Sequence, residues 1–235
     1  MNSADPRPTT LSPAPLVAPA TPPWDNTFSI VARDPASGAL GVAVATARTG
    51  AGNRVPFLEF GVGVVATQAN TNVLLAQAAL DRMRAGASAS DALSTVLADD
   101  PGQATRQLSL IDAQGGCAAF TGELPGEVKG HRIGLNCIAA GNLLASAATL
   151  DAMVETFEAA SGRLGDRLLA AITAGQAAGG DRRGKRSAAI RVLYEAPDSP
   201  DSYARNIDLR VDGSADPIGD LAAIYAGYKA EFRID

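Results

Sequence analysis

The pattern of apolar and polar residues changes abruptly after Asn26. From Thr27 to Arg33 the two kinds of residue alternate, as they do in a strand that is buried on one face. A turn that contains Gly38 then leads into a second apolar stretch, Leu40 to Thr46. Two such stretches joined by a short glycine-containing turn predict a β-hairpin.

The segment before this hairpin, residues 1–26, is rich in proline and has no apolar periodicity. Because proline disrupts helices and sheet ladders, the segment is predicted to be an extended or disordered leader, followed by one domain over residues 27–235. Three prolines interrupt residues 11–20, which argues against a secretory signal, and no apolar run approaches the ~18 residues that span a bilayer. We therefore expect a cytoplasmic protein.

Along the rest of the domain, blocks of strands alternate with pairs of helices. Further strands are predicted at residues 61–68, 107–112, 116–121, 136–140, 187–195 and 206–212. Helices are predicted to begin at Val73 and Ser88 and to span about 143–160, 164–178 and 217–232. Hairpins favour antiparallel sheets, and helices grouped after them favour covered outer faces. The predicted fold is α+β, a four-layer αββα sandwich of two mostly antiparallel sheets.

Charge and composition exclude several classes of function. The chain has 20 Lys and Arg against 25 Asp and Glu, a formal net charge of −5, which argues against a nucleic-acid partner. Its single histidine is His131, and its two cysteines lack the spacing of metal ligands. We therefore predict no metal and no cofactor, and any catalytic pair that needs histidine must use His131.

Several stretches carry a family resemblance. They are TFSIVARDPASGALGVAVAT (27–46), VATQANTN (65–72), RQLSLID (106–112), FTGE (120–123), GHR (130–132), GN (141–142), AGQAAGGDRRGKRSAA (174–189) and DLRVD (208–212). In this order and spacing, the chain resembles the bacterial family named domain of unknown function 1028, which is grouped with the N-terminal-nucleophile (Ntn) hydrolases. The resemblance implies an Ntn-type fold, while activity within the family is poorly defined.

Thr27 is the candidate nucleophile that this resemblance implies. In Ntn hydrolases the first residue of the mature chain supplies a hydroxyl that attacks a carbonyl and an α-amine that accepts the proton. An α-amine has a pKa of about 7.7–8.0, so it can act as a base without histidine. Here Thr27 follows Asn26, so the bond between them would have to be cut. The alternative is that Thr27 is an ordinary β-branched strand residue.

Polar residues near strand ends are the candidates for the remaining roles. Asn142 is the first choice as a donor to the oxyanion, and Gln68 and Asn72 are further candidates that would contact the substrate. The alternative for each is a turn or helix-cap residue, and Asn72 before Val73 is a good N-cap.

The densest polar cluster is the segment from Gly179 to Ser187. Asp181 could orient the amine of Thr27. Arg183 could bind substrate, since guanidinium groups bind carboxylates, and Ser187 is a further candidate for substrate binding. His131, in a glycine-flanked loop, could also contact substrate. The alternative is a pair of solvated loops.

These residues predict a cofactor-independent hydrolase of a small amide or cyclic amide. The alternative is a non-catalytic relative of the fold that binds a small ligand or serves as an oligomeric scaffold. The expected partners are a small-molecule amide and further copies of the chain in a homo-oligomer, with no nucleic acid and no membrane.

Overall fold

A computed structural model of the chain describes residues 27–234, which contain ten strands and seven α-helices. In chain order the elements are β1 (Thr27–Arg33), β2 (Leu40–Thr46), α1 (Ala51–Arg54), β3 (Pro56–Glu59), β4 (Gly63–Ala69), α2 (Val73–Arg84), α3 (Ala89–Ala98), β5 (Arg106–Asp112), β6 (Cys117–Thr121), β7 (Gly130–Gly134), β8 (Cys137–Gly141), α4 (Ala148–Ala159), α5 (Leu164–Ala177), β9 (Ser187–Leu193), α6 (Pro200–Arg205), β10 (Ile207–Asp212) and α7 (Pro217–Phe232). The predicted leader, residues 1–26, lies outside the described residues.

The strands form two sheets, in the orders β10-β9-β2-β1-β8-β7 and β3-β4-β5-β6. Every ladder between the described strands is antiparallel. Helices α4, α5 and α7 pack on the outer face of the six-stranded sheet, and α2 and α3 pack on the outer face of the four-stranded sheet. The predicted α+β fold with two antiparallel sheets in a layered αββα sandwich is therefore confirmed.

Three apolar cores separate the four layers. Phe28 of β1 packs with the helices of the six-stranded sheet, and Val65 of β4 packs with α2 and α3. Between the sheets, Val31, Val44 and Ile138 contribute to the third core. Because side chains alternate between faces along a strand, this assignment also fixes which polar residues face the gap between the sheets.

The predicted hairpin and the first helix pair are observed at their expected positions. The turn between β1 and β2 uses Gly38 at φ 75°, a conformation that favours glycine, and the β1–β2 register pairs Thr27 with Thr46. Helix α3 begins after Ser88, whose side chain accepts a hydrogen bond from the backbone N–H of Asp91. Local sequence signals determine both features.

Four short elements were not predicted: α1, β3, β7 and α6. The expected loop at His131 is part of β7, which lies at the edge of the six-stranded sheet. The helix predicted from residue 143 begins only at Ala148, because Leu143 adopts φ 50° and Leu144 donates its N–H to the carbonyl of Val128 at 3.0 Å. These backbone positions are incompatible with a continuous helix.

Among residues 27–234, no helix has both the length and the apolar character needed to cross a membrane.

Candidate functional site

Three hydroxyl side chains form a row at one end of the six-stranded sheet. Thr27 at the start of β1 lies opposite Thr46 at the end of β2, and Thr46 lies opposite Ser187 at the start of β9. Directly opposite residues of an antiparallel pair share a face. Thr27 has the same parity as Val31, so this face is the one that meets the other sheet. The row therefore lies in the gap between the sheets.

Asn142 extends this row past the end of β8. Its backbone N–H donates to the carbonyl oxygen of Thr27 at 3.0 Å, and its side-chain Nδ2 lies 3.5 Å from the same oxygen. Asn142 is completely buried, and Thr27 is 1% exposed. The structure thus brings the predicted nucleophile and the predicted oxyanion donor together on neighbouring strands.

A chain of buried amides connects this row to the four-stranded sheet. Ser29 Oγ donates to Gln68 Oε1 at 2.6 Å, and Gln68 Nε2 donates to Gln107 Oε1 at 2.7 Å. Asn142 Nδ2 donates to the same Gln107 oxygen at 3.1 Å. Gln107 Nε2 lies within 3.0 Å of Thr121 Oγ1 and within 2.9 Å of the carbonyl oxygens of Gly130 and Gly141. Gln107 is therefore the centre of a network, which we call the amide network, that links both sheets.

His131 lies at the far side of the amide network. Its Nδ1 is 3.0 Å from Thr121 Oγ1, the hydroxyl that also accepts from Gln107. Partial burial lowers the pKa of His131, and the neighbouring Arg132 charge lowers it further. A neutral ring can accept a hydrogen bond from the Thr121 hydroxyl at Nδ1, and this contact joins His131 to the amide network.

Asp181 and Ser187 hold the loops around the row. One Asp181 oxygen accepts from the N–H of Ala47 at 3.1 Å, and the other accepts from the N–H of Arg183 at 2.9 Å. Ser187 Oγ donates to the carbonyl of Arg48 at 2.7 Å and accepts from the N–H of Ala51 at 3.2 Å. Both side chains thus fix the chain segment that follows β2 at the same end of the sandwich.

Arg183 and Asn72 are less closely associated with Thr27. Arg183 is exposed, and its guanidinium Nε is 3.6 Å from Asp181 Oδ1. Asn72 is the N-cap of α2, where its side chain accepts from the N–H of Leu74 at 3.1 Å. The helix-cap alternative for Asn72 is therefore the role that the structure gives it.

One geometric expectation for a nucleophile is met and another is not. Thr27 lies at an end of the sandwich, as expected for a nucleophile. A nucleophile must also be reachable by its substrate, and at 1% exposure the Thr27 side chain is buried. If the uncut leader blocks the site, Asn26 should run through its mouth, but this prediction falls on a residue outside the described residues.

Two strained backbone positions flank the amide network. Ala69, which follows Gln68, has φ 69°, and Leu143, which follows Asn142, has φ 50°. Non-glycine residues in this region cost on the order of 1–3 kcal/mol each and occur at functional sites, where the surrounding structure holds them. The strain therefore marks the two chain segments that position the Gln68 and Asn142 amides.

Sequence reasoning missed Ser29, Gln107 and Thr121. All three have the strand parity that faces the gap, and Gln107 lies within the RQLSLID stretch that carries the family resemblance. A polar residue repeated on the buried face of a predicted strand was the available signal. No cluster of three or more His, Cys, Asp or Glu side chains that could hold a metal occurs in the described part of the chain.

The family match begins at Thr27, the first residue of this site. A model of a family of unknown function, DUF1028, matches residues 27–221. The chain belongs to this family. A crystal structure of a DUF1028 protein from Silicibacter pomeroyi is similar to it, with 37% sequence identity over 87% of this chain and 86% of that chain, and a TM-score of 0.79. No curated protein matches the chain. Membership of DUF1028 thus rests on most of the described residues.

Proposed function

We propose that this DUF1028 protein is a cofactor-independent hydrolase of the Ntn type, which cleaves a small, non-peptide amide or cyclic amide in the cytoplasm. The observation that carries the proposal is the position of Thr27. It is the first residue of the family match and the first residue of β1, and it lies beside Asn142 at the polar end of the sandwich.

The chemistry requires hydrolysis of the Asn26–Thr27 bond, because an amide nitrogen in a peptide bond is not a base. The freed α-amine, with a reference pKa of about 7.7–8.0, would take the proton of the Thr27 hydroxyl as Oγ attacks the substrate carbonyl carbon. The amine would then pass this proton to the leaving nitrogen, and water would hydrolyse the resulting ester. One threonine thus supplies both nucleophile and base.

The remaining roles are assigned by position. A backbone N–H or the Asn142 amide would stabilise the oxyanion, and Asp181 would orient the loop that borders the amine. Gln68, His131 and Ser187 lie at the same end of the sandwich and are the nearer substrate contacts. Two outer residues complete the set of candidates for substrate binding: Arg183 and Asn72.

The first test is the intact mass of the purified protein, followed by an activity assay. A chain that begins at Thr27 would support the proposal, because only that chain has the free amine. A chain expressed from residue 27, with its initiator methionine removed so that Thr27 is the first residue, should hydrolyse members of a panel of chromogenic small amides and lactams.

Two substitutions at Thr27 separate chemistry from folding. Thr27→Ala should abolish hydrolysis with an unchanged fold, while Thr27→Ser, which keeps a hydroxyl, should retain part of it. If Thr27→Ala remains active, a threonine nucleophile is excluded.

One observation favours the alternative, a non-catalytic protein that binds a small ligand or assembles as an oligomer. Thr27 is 1% exposed in the full chain, and Ser187 and Asn142 are engaged in internal hydrogen bonds. A purified protein that keeps Asn26 and is inactive on the amide panel would support this alternative.

A further inference from the structure

The orientation of the Gln107 amide is fixed by main-chain atoms. Its Nε2 lies 2.9 Å from the carbonyl oxygen of Gly130 and 2.9 Å from that of Gly141. Carbonyl oxygens only accept hydrogen bonds, so the nitrogen of Gln107 must face them. Gln107 Oε1 must then face the opposite way, towards Gln68 and Asn142.

This orientation determines that of the other two amides. Two side chains approach Gln107 Oε1, Gln68 at 2.7 Å and Asn142 at 3.1 Å, and each must present its NH2 group to that oxygen. Gln68 Oε1 is then free to accept from the Ser29 hydroxyl, as observed at 2.6 Å. The amide network is consistent in one orientation, and that orientation is set by the backbone of β7 and β8.

Asn142 is left with an acceptor that has no partner. Its NH2 group is used by Gln107 Oε1 and by the carbonyl oxygen of Thr27, whereas its Oδ1 is buried without a hydrogen bond. A buried polar atom without a partner is uncommon in folded proteins because its desolvation is not compensated. Asn142 Oδ1 is therefore available to accept a hydrogen bond from a donor that the uncut chain lacks, whereas the NH2 group of Asn142 is already used.

Hydrolysis of the Asn26–Thr27 bond would supply such a group. Asn142 donates its N–H to the carbonyl of Thr27, and in such an antiparallel pair the N–H of Thr27 is directed back at the backbone carbonyl of Asn142. The peptide nitrogen of Thr27 carries one hydrogen, whereas a free amine carries two, or three when protonated. One hydrogen can stay directed at the Asn142 backbone carbonyl, so the additional hydrogens need a further acceptor.

We propose that Asn142 Oδ1 accepts a hydrogen bond from the free α-amine of Thr27, and that Gln107 is the positioning residue that holds the Asn142 amide in this orientation. The inference rests on the proposed function only in requiring that amine. With one N–H directed at the Asn142 backbone carbonyl and the other at its Oδ1, the lone pair of the neutral amine is left to receive the hydroxyl proton of Thr27. The role assigned to Asn142 is thus to orient the base, and the oxyanion is left to backbone N–H groups.

The test measures the pKa of the Thr27 amine in a chain that begins at Thr27, from the pH dependence of the Thr27 ¹³Cα shift. An acceptor stabilises the protonated amine, so Asn142→Ala should lower this pKa by about half a unit, the usual spread for N-terminal amines. Gln107→Leu, which releases the Asn142 amide, should lower it as well. Asn53→Ala is the matched control, since Asn53 is an exposed residue of α1, and should leave it unchanged.

Neighbouring charges do not explain such a shift. The charged or titratable side chains around this end, Arg48, Asp181, Arg183 and His131, are present in parent and variant alike. An amine pKa that is the same in Asn142→Ala and in the parent would overturn the inference. Because no turnover is measured, an inactive chain with an Asn142-dependent amine pKa would count against the hydrolase alone.

A second measurement uses the full-length chain and needs no free amine. If Asn142 donates its NH2 group to two acceptors, Asn142→Asp places a carboxylate oxygen against both of them. Asn142→Asp should then lower the denaturation midpoint more than Asn142→Ala does. If Asn142→Asp is tolerated as well as or better than Asn142→Ala, the amide has the opposite orientation and the inference is wrong.

Discussion

The two ends of the gap between the sheets differ in both chemistry and packing. At the end where β1 begins, buried amides and hydroxyls form hydrogen bonds from one sheet to the other, and Thr27 is 1% exposed. At the opposite end, between the edge strands β3 and β10, a cavity of about 340 Å³ opens. Apolar and aromatic side chains dominate its lining, which includes Leu58, Phe60 and Tyr203.

This difference shows that the open cavity and the candidate chemistry occur in different places. The six-stranded sheet extends beyond the four-stranded sheet, so part of β9 and β10 faces the cavity. In the cavity, Arg191 is paired with Asp208 at 3.4 Å, directly across the β9–β10 ladder. The polar end, by contrast, holds an unpartnered acceptor, Asn142 Oδ1, and two strained backbone positions. The cavity therefore does not mark the position of Thr27, which is not among its lining residues.

The largest effect is expected from loss of the amide at the centre of the polar end. Gln107→Leu removes the partner of two side-chain NH2 groups and of two backbone carbonyls. Because each buried group left without a partner costs about 1–3 kcal/mol, we expect the free energy of unfolding to fall by about 3–5 kcal/mol. Chemical denaturation monitored by circular dichroism measures this change.

The matched control is Gln103→Leu, four residues earlier at an exposed position of a short 3-10 helix, Gln103–Thr105. It should change the stability by less than about 0.5 kcal/mol. Equal effects of the two substitutions would mean that the amide network does not stabilise the contact between the sheets.

Much of the fold could be predicted because its signals are local. The β1–β2 hairpin follows from alternation and a glycine turn, and α3 follows from the Ser88 cap. Strand β7 was missed because an edge strand with the exposed side chain of Ile133 lacks the burial pattern that identifies inner strands. The helix expected from residue 143 was placed too early, because the backbone of residues 143–145 forms hydrogen bonds with Val128, Gly180 and Arg182, which are distant in sequence.

The candidate site was only partly predictable for the same reason. Thr27 and Asn142 were identified from the family resemblance and from their positions at strand ends. Gln107 was not, because its role depends on Asn142 and Gln68, which are 35 and 39 residues away along the chain, after β8 and in β4. Sequence periodicity gives the face of a strand, whereas the identity of the strand opposite requires the tertiary fold.

The second largest effect is expected from loss of apolar packing, which should reduce the stability more in the middle of the gap than at the cavity. Ile138→Ala, at a fully buried position between the sheets, should cost about 4 kcal/mol because it leaves an enclosed void. Leu58→Ala, at the cavity lining, should cost about 2 kcal/mol because the space it leaves joins one that already exists. Denaturation midpoints of the two variants measure the difference. An equal or greater cost for Leu58→Ala would show that the cavity is closed in solution.

The smallest effects are expected in the pH dependence of stability, at His131 and Cys137, which lie at opposite ends of the β7–β8 hairpin. Burial lowers the pKa of His131, so its contribution to stability is complete above about pH 6.5 and is lost as the pH falls through the folded-state pKa. Burial raises the pKa of Cys137 to about 12, so its contribution is complete below about pH 8.5 and is lost as the pH rises towards 12. His131→Gln should therefore flatten the acid side of the stability profile alone, and Cys137→Ala the alkaline side alone. Because Gln107→Leu removes neither the burial of His131 nor the neighbouring Arg132 charge, the acid-side loss should persist in Gln107→Leu. If it disappears there, the amide network and not burial is the cause of the lowered pKa of His131.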